Sequence, residues 1–311
     1  MTDNVDSDVK ISVVTPSFNQ GPFIEQTIES VLSQKACFSD FEYIVMDGGS
    51  TDETLQILKK YHQCFAWTSE PDHGQAHAVN KGIQCAKGDI IGWLNSDDIY
   101  YPGILKTVSD FFEANPGVDV LYGDAALIDG QGKPFGRYLT EKFSLRRLKA
   151  RCFISQPAAF FRSSAILKYG LLNESLDFCM DYEYWLRLAL SGACFAYLPQ
   201  KLAAARVHSG AKSTHSCLPA SAEAIVMLRQ KLGYIPATLL VSYAGAAVKS
   251  ASGEECLSLR FIPSVWAGLW RVSGMHYQGS KRVIAWFAAQ WAMLSEFLIR
   301  SSRRLLTGKS E

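Results

Sequence analysis

From Lys10 to about Asp124 the chain alternates short β-rich runs with segments whose apolar residues recur three and four positions apart. That alternation is the mark of β-α-β units, and it commits this stretch to a largely parallel sheet covered by helices. The pattern predicts strands over residues 11–15, 43–46, 65–68 and 90–94, and helices over 22–33, 51–61 and 75–86. In the first helix Ile24, Ile28, Val31 and Leu32 form the buried stripe. After a strand over 118–122 the rhythm changes: Asp129-Gly130-Gln131-Gly132 signals a hairpin turn. A strand over 158–161, a helix over 182–190 and a strand over 194–198 follow, and the core domain is expected to span residues 1–216, with a helical region over 217–311.

With 311 residues and 48% hydrophobic composition the chain can bury a large core and still carry an appendage. Its 31 basic and 30 acidic residues nearly cancel, which leaves no overall field to attract nucleic acid. Eight cysteines show no Cys-x-x-Cys spacing, so they read as small buried hydrophobes in a reducing compartment rather than as zinc ligands or a disulfide framework. The polar, acidic stretch 1–10 offers no apolar leader, and a cytoplasmic location is expected.

In an open parallel sheet, ligands bind beyond the carboxyl ends of the strands. Thr15-Pro16-Ser17-Phe18-Asn19 sets a rigid proline and an aromatic among hydrogen-bonding side chains, a loop suited to a base and ribose and equally to a plain β-to-α turn. In Asp47-Gly48-Gly49-Ser50-Thr51-Asp52-Glu53, two glycines permit close backbone approach and Ser50 with Glu53 reads as a capping box. That box leaves Asp47 unexplained, an acid able to accept from a pyrimidine imide. Trp93-Leu94-Asn95-Ser96-Asp97-Asp98 ends an apolar strand in adjacent carboxylates, which repel unless hydrated or neutralised. A hard divalent cation bridging a diphosphate, Mg²⁺ or Mn²⁺, satisfies them, as does a solvated turn before Pro102. Asp181 and Glu183 open an amphipathic helix whose dipole stabilises acids; Asp181 is also placed to act as a general base.

Taken together and in this order, these motifs resemble the family 2 glycosyltransferases of the GT-A fold, over roughly residues 11–213. The match also includes Asp72-His73-Gly74-Gln75, Asn80-Lys81-Gly82, Trp185-Leu186-Arg187-Leu188 and Arg206-Val207-His208. The resemblance implies a Rossmann-like mixed α/β sheet, mainly parallel and flanked by helices, with a helical C-terminal extension. It implies inverting transfer of a sugar from a UDP, dTDP or GDP sugar to a sugar or lipid-linked acceptor, as in cell-surface polysaccharide assembly. Thr15 to Asn19, Asp47, Gly48, Gly49, Gln75, Asn95, Ser96 and Asp97 are then expected around the donor. Asp97, Asp98 and His208 are expected at the metal, and Asp181 as the base. Two departures stand out: Asn95 sits where many relatives carry the leading acid, and Met180 where a glutamate often precedes the base. They motivate the alternative of a catalytically impaired sugar-nucleotide-binding or scaffold protein.

In the C-terminal region Ile284, Phe287, Trp291, Leu294 and Leu298 fall on one stripe flanked by arginines, the pattern of an interfacial helix. Peripheral attachment to the inner face of the cell membrane is expected from it, with packing on the catalytic core or on a second subunit as the other outcome.

Overall fold

The computed structural model describes residues 9–212 and 217–252, so the expected interfacial helix over 282–306 lies outside the described residues. Strands β1 (Ile11–Ser17), β2 (Phe41–Asp47), β3 (Ala66–Ser69) and β4 (Ile90–Trp93) alternate with helices α1 (Gly21–Leu32), α2 (Thr54–Lys60) and α3 (Gln75–Cys85). These four strands run parallel in the order β3-β2-β1-β4. The sheet then becomes mixed. β5 (Ile99–Tyr100) and α4 (Ile104–Ala114) lead to a hairpin of β6 (Val120–Ile128) and β7 (Pro134–Arg137); α5 (Leu145–Leu148), β8 (Ala159–Arg162), α6 (Ser163–Tyr169), α7 (Met180–Leu190) and β9 (Phe195–Arg206) follow. β8 is antiparallel to both β4 and β6, and β9 runs parallel to β6 while pairing antiparallel with β5. The first compact unit extends through α8 (Cys217–Leu232) to Pro236, and α9 (Ala237–Ser252) belongs to the second.

The period of two along the central strands sorts their side chains between two faces. Val13, Tyr43 and Val45 join Ile24, Ile28 and Val31 of α1, Leu58 of α2 and Val108 and Phe112 of α4 in the main core. Ile44 and Met46 face the other way, onto Ala78 of α3. Helix α3 lies so close that a Cβ built on Gly82 would sit 2.3 Å from Val14 Cγ1, which explains the glycine of the Asn80-Lys81-Gly82 motif. Asn80 itself ties α3 to the segment before α7, donating to Leu172 O (3.0 Å) and Glu174 Oε1 (2.7 Å) and accepting from Leu172 N (2.9 Å). Gly82→Val is expected to destabilise the protein by about 1–3 kcal/mol through overpacking. Thermal unfolding checks this, since a domain of this size loses about 2–4 °C per kcal/mol.

Three expectations are corrected. Ser50 and Glu53 form no capping box: α2 begins after Glu53 without a cap from it, and Asp52 Oδ1 accepts from Thr54 N (3.0 Å) instead. Cys37, Cys64, Cys85 and Cys194 are exposed rather than buried, because they fall at helix ends and in connecting turns; Cys152 is half-buried and Cys179 buried. The last strand runs to Arg206, eight residues past its expected end, since its second half pairs with residues 124–128 of β6.

Candidate active site

The parallel strands deliver their carboxyl ends to one rim. Ser17 and Asp47 are register partners, as are Asp47 and Ser69, while Trp93 stands beside Val14. The loops that leave these strands therefore start side by side.

Asp47 organises that rim from within. Its buried carboxylate accepts from Gly49 N (3.2 Å), Ser50 N (2.9 Å), Ser50 Oγ (2.5 Å) and Ser69 Oγ (2.6 Å). Three of these donors reach Oδ2 and one reaches Oδ1, so the carboxylate fixes the 47–50 loop and the end of β3 while Oδ1 keeps a lone pair. Ser50 Oγ in turn accepts from Asn19 N (2.7 Å), and Asn19 Oδ1 accepts from Thr51 N (2.8 Å). Asn19 holds φ 52°, a left-handed conformation that asparagine tolerates. Gly48 packs against Asp72, whose Oδ2 would lie 2.6 Å from an added Cβ. Thr15 is sealed in the core, where its hydroxyl accepts from Tyr43 OH (3.2 Å), and Pro16 is buried beside it; both shape the rim without reaching its surface. Ser17 Oγ is buried with no hydrogen-bond partner among the described residues, and the next residue, Phe18, is 59% exposed. An orphaned hydroxyl beside an uncovered ring fits a flat polar ligand.

Asn95 closes the next part of the rim. Its Oδ1 accepts from Gln75 Nε2 (2.8 Å) and Trp93 Nε1 (2.9 Å), and its Nδ2 donates to Gln156 Oε1 (2.9 Å). Gln156 also donates to Trp93 O (2.5 Å). The amide is thus a junction joining α3, β4 and the turn before β8, a task that needs a donor and an acceptor on one side chain and that a carboxylate performs poorly. Ser96 is buried, and its carbonyl accepts from Thr27 Oγ1 (2.9 Å).

Asp97 and His208 meet, with Nε2 3.1 Å from Oδ2. Arg206 brings them together: it is buried, donates from Nε to Asp97 O (2.7 Å) and from Nη2 to Gln26 Oε1 (2.7 Å), and reaches Asp129 O and Gly130 O of the β6–β7 turn through Nη1. Phe23 lies under the Arg206 guanidinium (5.1 Å) and against the His208 ring (4.3 Å). Asp98 is only 5% exposed and its Oδ1 accepts from Arg206 N (2.8 Å). Burial, and then the Asp97 charge, push Asp98 well above the ordinary carboxylate range. Among the described residues no three His, Cys, Asp or Glu side chains converge. What this pair offers a cation is one carboxylate and one imidazole, a donor set suited to Mn²⁺ or Mg²⁺ once diphosphate oxygens and water complete the shell. Asp98 supports that pair by fixing the backbone of Arg206.

Asp181 is the second residue of α7, half-buried, with Oδ1 accepting from Tyr182 N (2.7 Å). Burial pushes its pKa up to about 6 against that hydrogen bond. Its charge is felt by Tyr138 and Cys152. Cys152 is four residues from Gln156, a span of at most about 14 Å of chain, and Gln156 holds Asn95. Sequence reasoning missed Gln156 and the supporting roles of Gln26 and Thr27. Gln156 had a signal, as the single amide within the apolar run 153–161. A cavity of about 440 Å³ beside Phe65 and Trp67 lies along β2 and β3 and includes none of these site residues.

Comparison with known proteins identifies the family and the fold. Residues 12–170 match the family described as "Glycosyl transferase family 2". An uncharacterized glycosyltransferase of Rickettsia typhi is 30% identical over 222 residues, 67% of each chain, and one of Mycobacterium tuberculosis is 33% identical over 184 residues, 58% of this chain and 69% of that one. Among solved structures, S. aureus TarS in complex with UDP-GlcNAc superposes with TM-score 0.59 at 18% identity, covering 83% of this chain and 79% of that one. A mannosyltransferase from Pyrobaculum calidifontis in complex with GDP-Man and Mn²⁺ gives 0.52 at 16% identity, covering 98% and 89%. At these identities the structures speak to the fold, a GT-A type sheet flanked by helices.

Proposed function

The chain belongs to glycosyl transferase family 2, and from that membership we propose that it transfers a sugar from a nucleoside diphosphate sugar to an acceptor hydroxyl, with inversion and with help from Mg²⁺ or Mn²⁺. That it is a glycosyltransferase follows from the family; donor, metal and stereochemistry are the proposal. The observation that carries it is the meeting of Asp97 and His208 on the rim that also bears the unpartnered Ser17 hydroxyl.

In this reading Ser17, Phe18 and the Gly48-Gly49 backbone receive the nucleoside, on a frame fixed by Asp47 and Asn19. Gln75 and Asn95 line the path toward the diphosphate, which Asp97 and His208 anchor. Asp97 and His208 would hold a divalent ion there, which would supply Lewis-acid charge to the leaving diphosphate. Asp181 takes the proton of the acceptor hydroxyl as its oxygen attacks the anomeric carbon, and Tyr138 and Cys152 border the acceptor side. Lipid-linked and free-sugar acceptors both suit this chemistry. Among the described residues no helix is long and apolar enough to cross a membrane.

Two measurements follow. The base works only when ionised, so kcat/KM is expected to fall on the acid side through a pKa of about 6; an acid limb at the ordinary aspartate value, about 3.9, speaks against Asp181 as the base. In a panel of UDP, dTDP and GDP sugars, one donor is expected to raise the unfolding temperature only when Mn²⁺ is present, since a ligand at a hundred times its Kd adds about 2.7 kcal/mol. Equal stability with every donor, with and without Mn²⁺, contradicts the assignment.

A further inference from the structure

Helix α8 lies beyond the segment that matches the family, yet it grips the entry to α7. Glu223 turns its carboxylate onto three successive backbone amides, accepting from Asp177 N at 2.7 Å and from Phe178 N and Cys179 N at 2.8 Å each. Lys212 Nζ holds the carbonyl of Asp177 (3.3 Å). Burial alone raises a carboxyl pKa, but in Glu223 the three amide hydrogen bonds outweigh it and lower the pKa, so the group is ionised at neutral pH. Cys179, at the start of α7, has no side-chain cap of its own, and Asp181 follows two residues later. A second tie stands further along both helices, where Lys231 Nζ pairs with buried Glu183 Oε1 (2.6 Å), which also binds Arg187 Nε (2.9 Å).

We propose that Glu223 is a positioning residue for Asp181: by clamping the 177–179 turn from α8, it holds the first turn of α7 where the Asp181 carboxyl is shielded and aimed at the acceptor. The inference rests on the reading of Asp181 as the base. The titratable groups that face Asp181 are the Tyr138 phenol and the Cys152 and Cys179 thiols, with Arg151 beyond Tyr138 and Glu223 beyond Cys179. Tyr138, Cys152 and Cys179 are all pushed up by burial and stay neutral while Asp181 titrates. The Asp181 pKa therefore reports how deeply the carboxyl is shielded, which is the quantity the clamp controls.

The test uses the full chain with ¹³C-carboxyl-labelled aspartate, and Asp181→Asn identifies the signal by its loss. In Glu223→Ala the Asp181 titration is expected to drop from about 6 by about one unit or more, toward the aspartate reference near 3.9. Hydrolysis of the donor selected by the thermal panel is expected to slow by about 10- to 100-fold in kcat, the scale of a small misplacement, with donor Kd unchanged. Glu223→Gln keeps the oxygen that serves Phe178 and Cys179 and is expected to fall between. Lys231→Ala breaks the second tie and is expected to lower the unfolding temperature while leaving the Asp181 titration in place. A Glu223→Ala protein whose Asp181 titrates as in the wild type overturns the inference. If instead Asp181→Asn keeps its turnover while Glu223→Ala moves the titration, the clamp stands and the base assignment falls.

Discussion

Asp181→Asn is expected to lose about 10²- to 10⁴-fold in kcat, the usual worth of a positioned base, while binding the donor as the wild type does. The split follows from the proposed roles: Asp181, whose charge reaches Tyr138 and Cys152, is read on the acceptor side, whereas the groups read as the donor's stand on the strand ends of β1, β2 and β4. Asparagine keeps an oxygen to accept from Tyr182 N, so the first turn of α7 retains its hydrogen bond. Removing a carboxyl that burial already disfavours in its charged form leaves the unfolding temperature unchanged or raises it. Steady-state rates with calorimetric donor binding check both halves, and parallel losses in kcat and donor affinity would place Asp181 on the donor instead.

Asp97→Ala is expected to act on the other half of the reaction. It removes the carboxylate of the pair proposed to hold the cation, and a Lewis acid at a leaving diphosphate is worth several kcal/mol. At about 1.4 kcal/mol per decade, turnover falls by at least about 100-fold and Mn²⁺ no longer restores it after chelation. Donor affinity drops with it, unlike in Asp181→Asn. His208→Ala keeps the carboxylate and loses less. Metal titrations of donor binding separate the three proteins, and an Asp97→Ala protein with wild-type Mn²⁺ dependence removes Asp97 from the metal.

The parallel half of the sheet was legible because each strand is an apolar run closed by a polar loop, and each helix shows its own stripe; β1, β2 and β4 fall where the pattern puts them. The loops were legible as a set of chemical groups but not as a wiring diagram. Ser50 has the spacing of a helix cap, yet its partners are Asp47 and Asn19, and only the register of β1 against β2 brings Asn19 there. Asp47 reads as a free acid in sequence because nothing local reveals Ser69, which lies 22 residues away on the next strand. Asn95 looks like a weakened metal ligand until Gln75 and Gln156 arrive from distant segments and occupy both ends of its amide. Helix α4, by contrast, carried an overlooked signal: Ile104, Leu105, Val108 and Phe112 repeat at helical spacing and are buried.

The proposed function has strand ends far apart in the chain supply one donor platform, with Asp181 as the base beside it. The most direct test is proton NMR of the wild-type protein with Mn²⁺ and the nucleotide sugar it binds, following the sugar as it is released to water and before mutarotation. The expected result is nucleoside diphosphate formed together with the sugar of opposite anomeric configuration to the donor, stopped by chelation and restored by Mn²⁺. Release of the same anomer, or no release from any UDP, dTDP or GDP sugar, would contradict it.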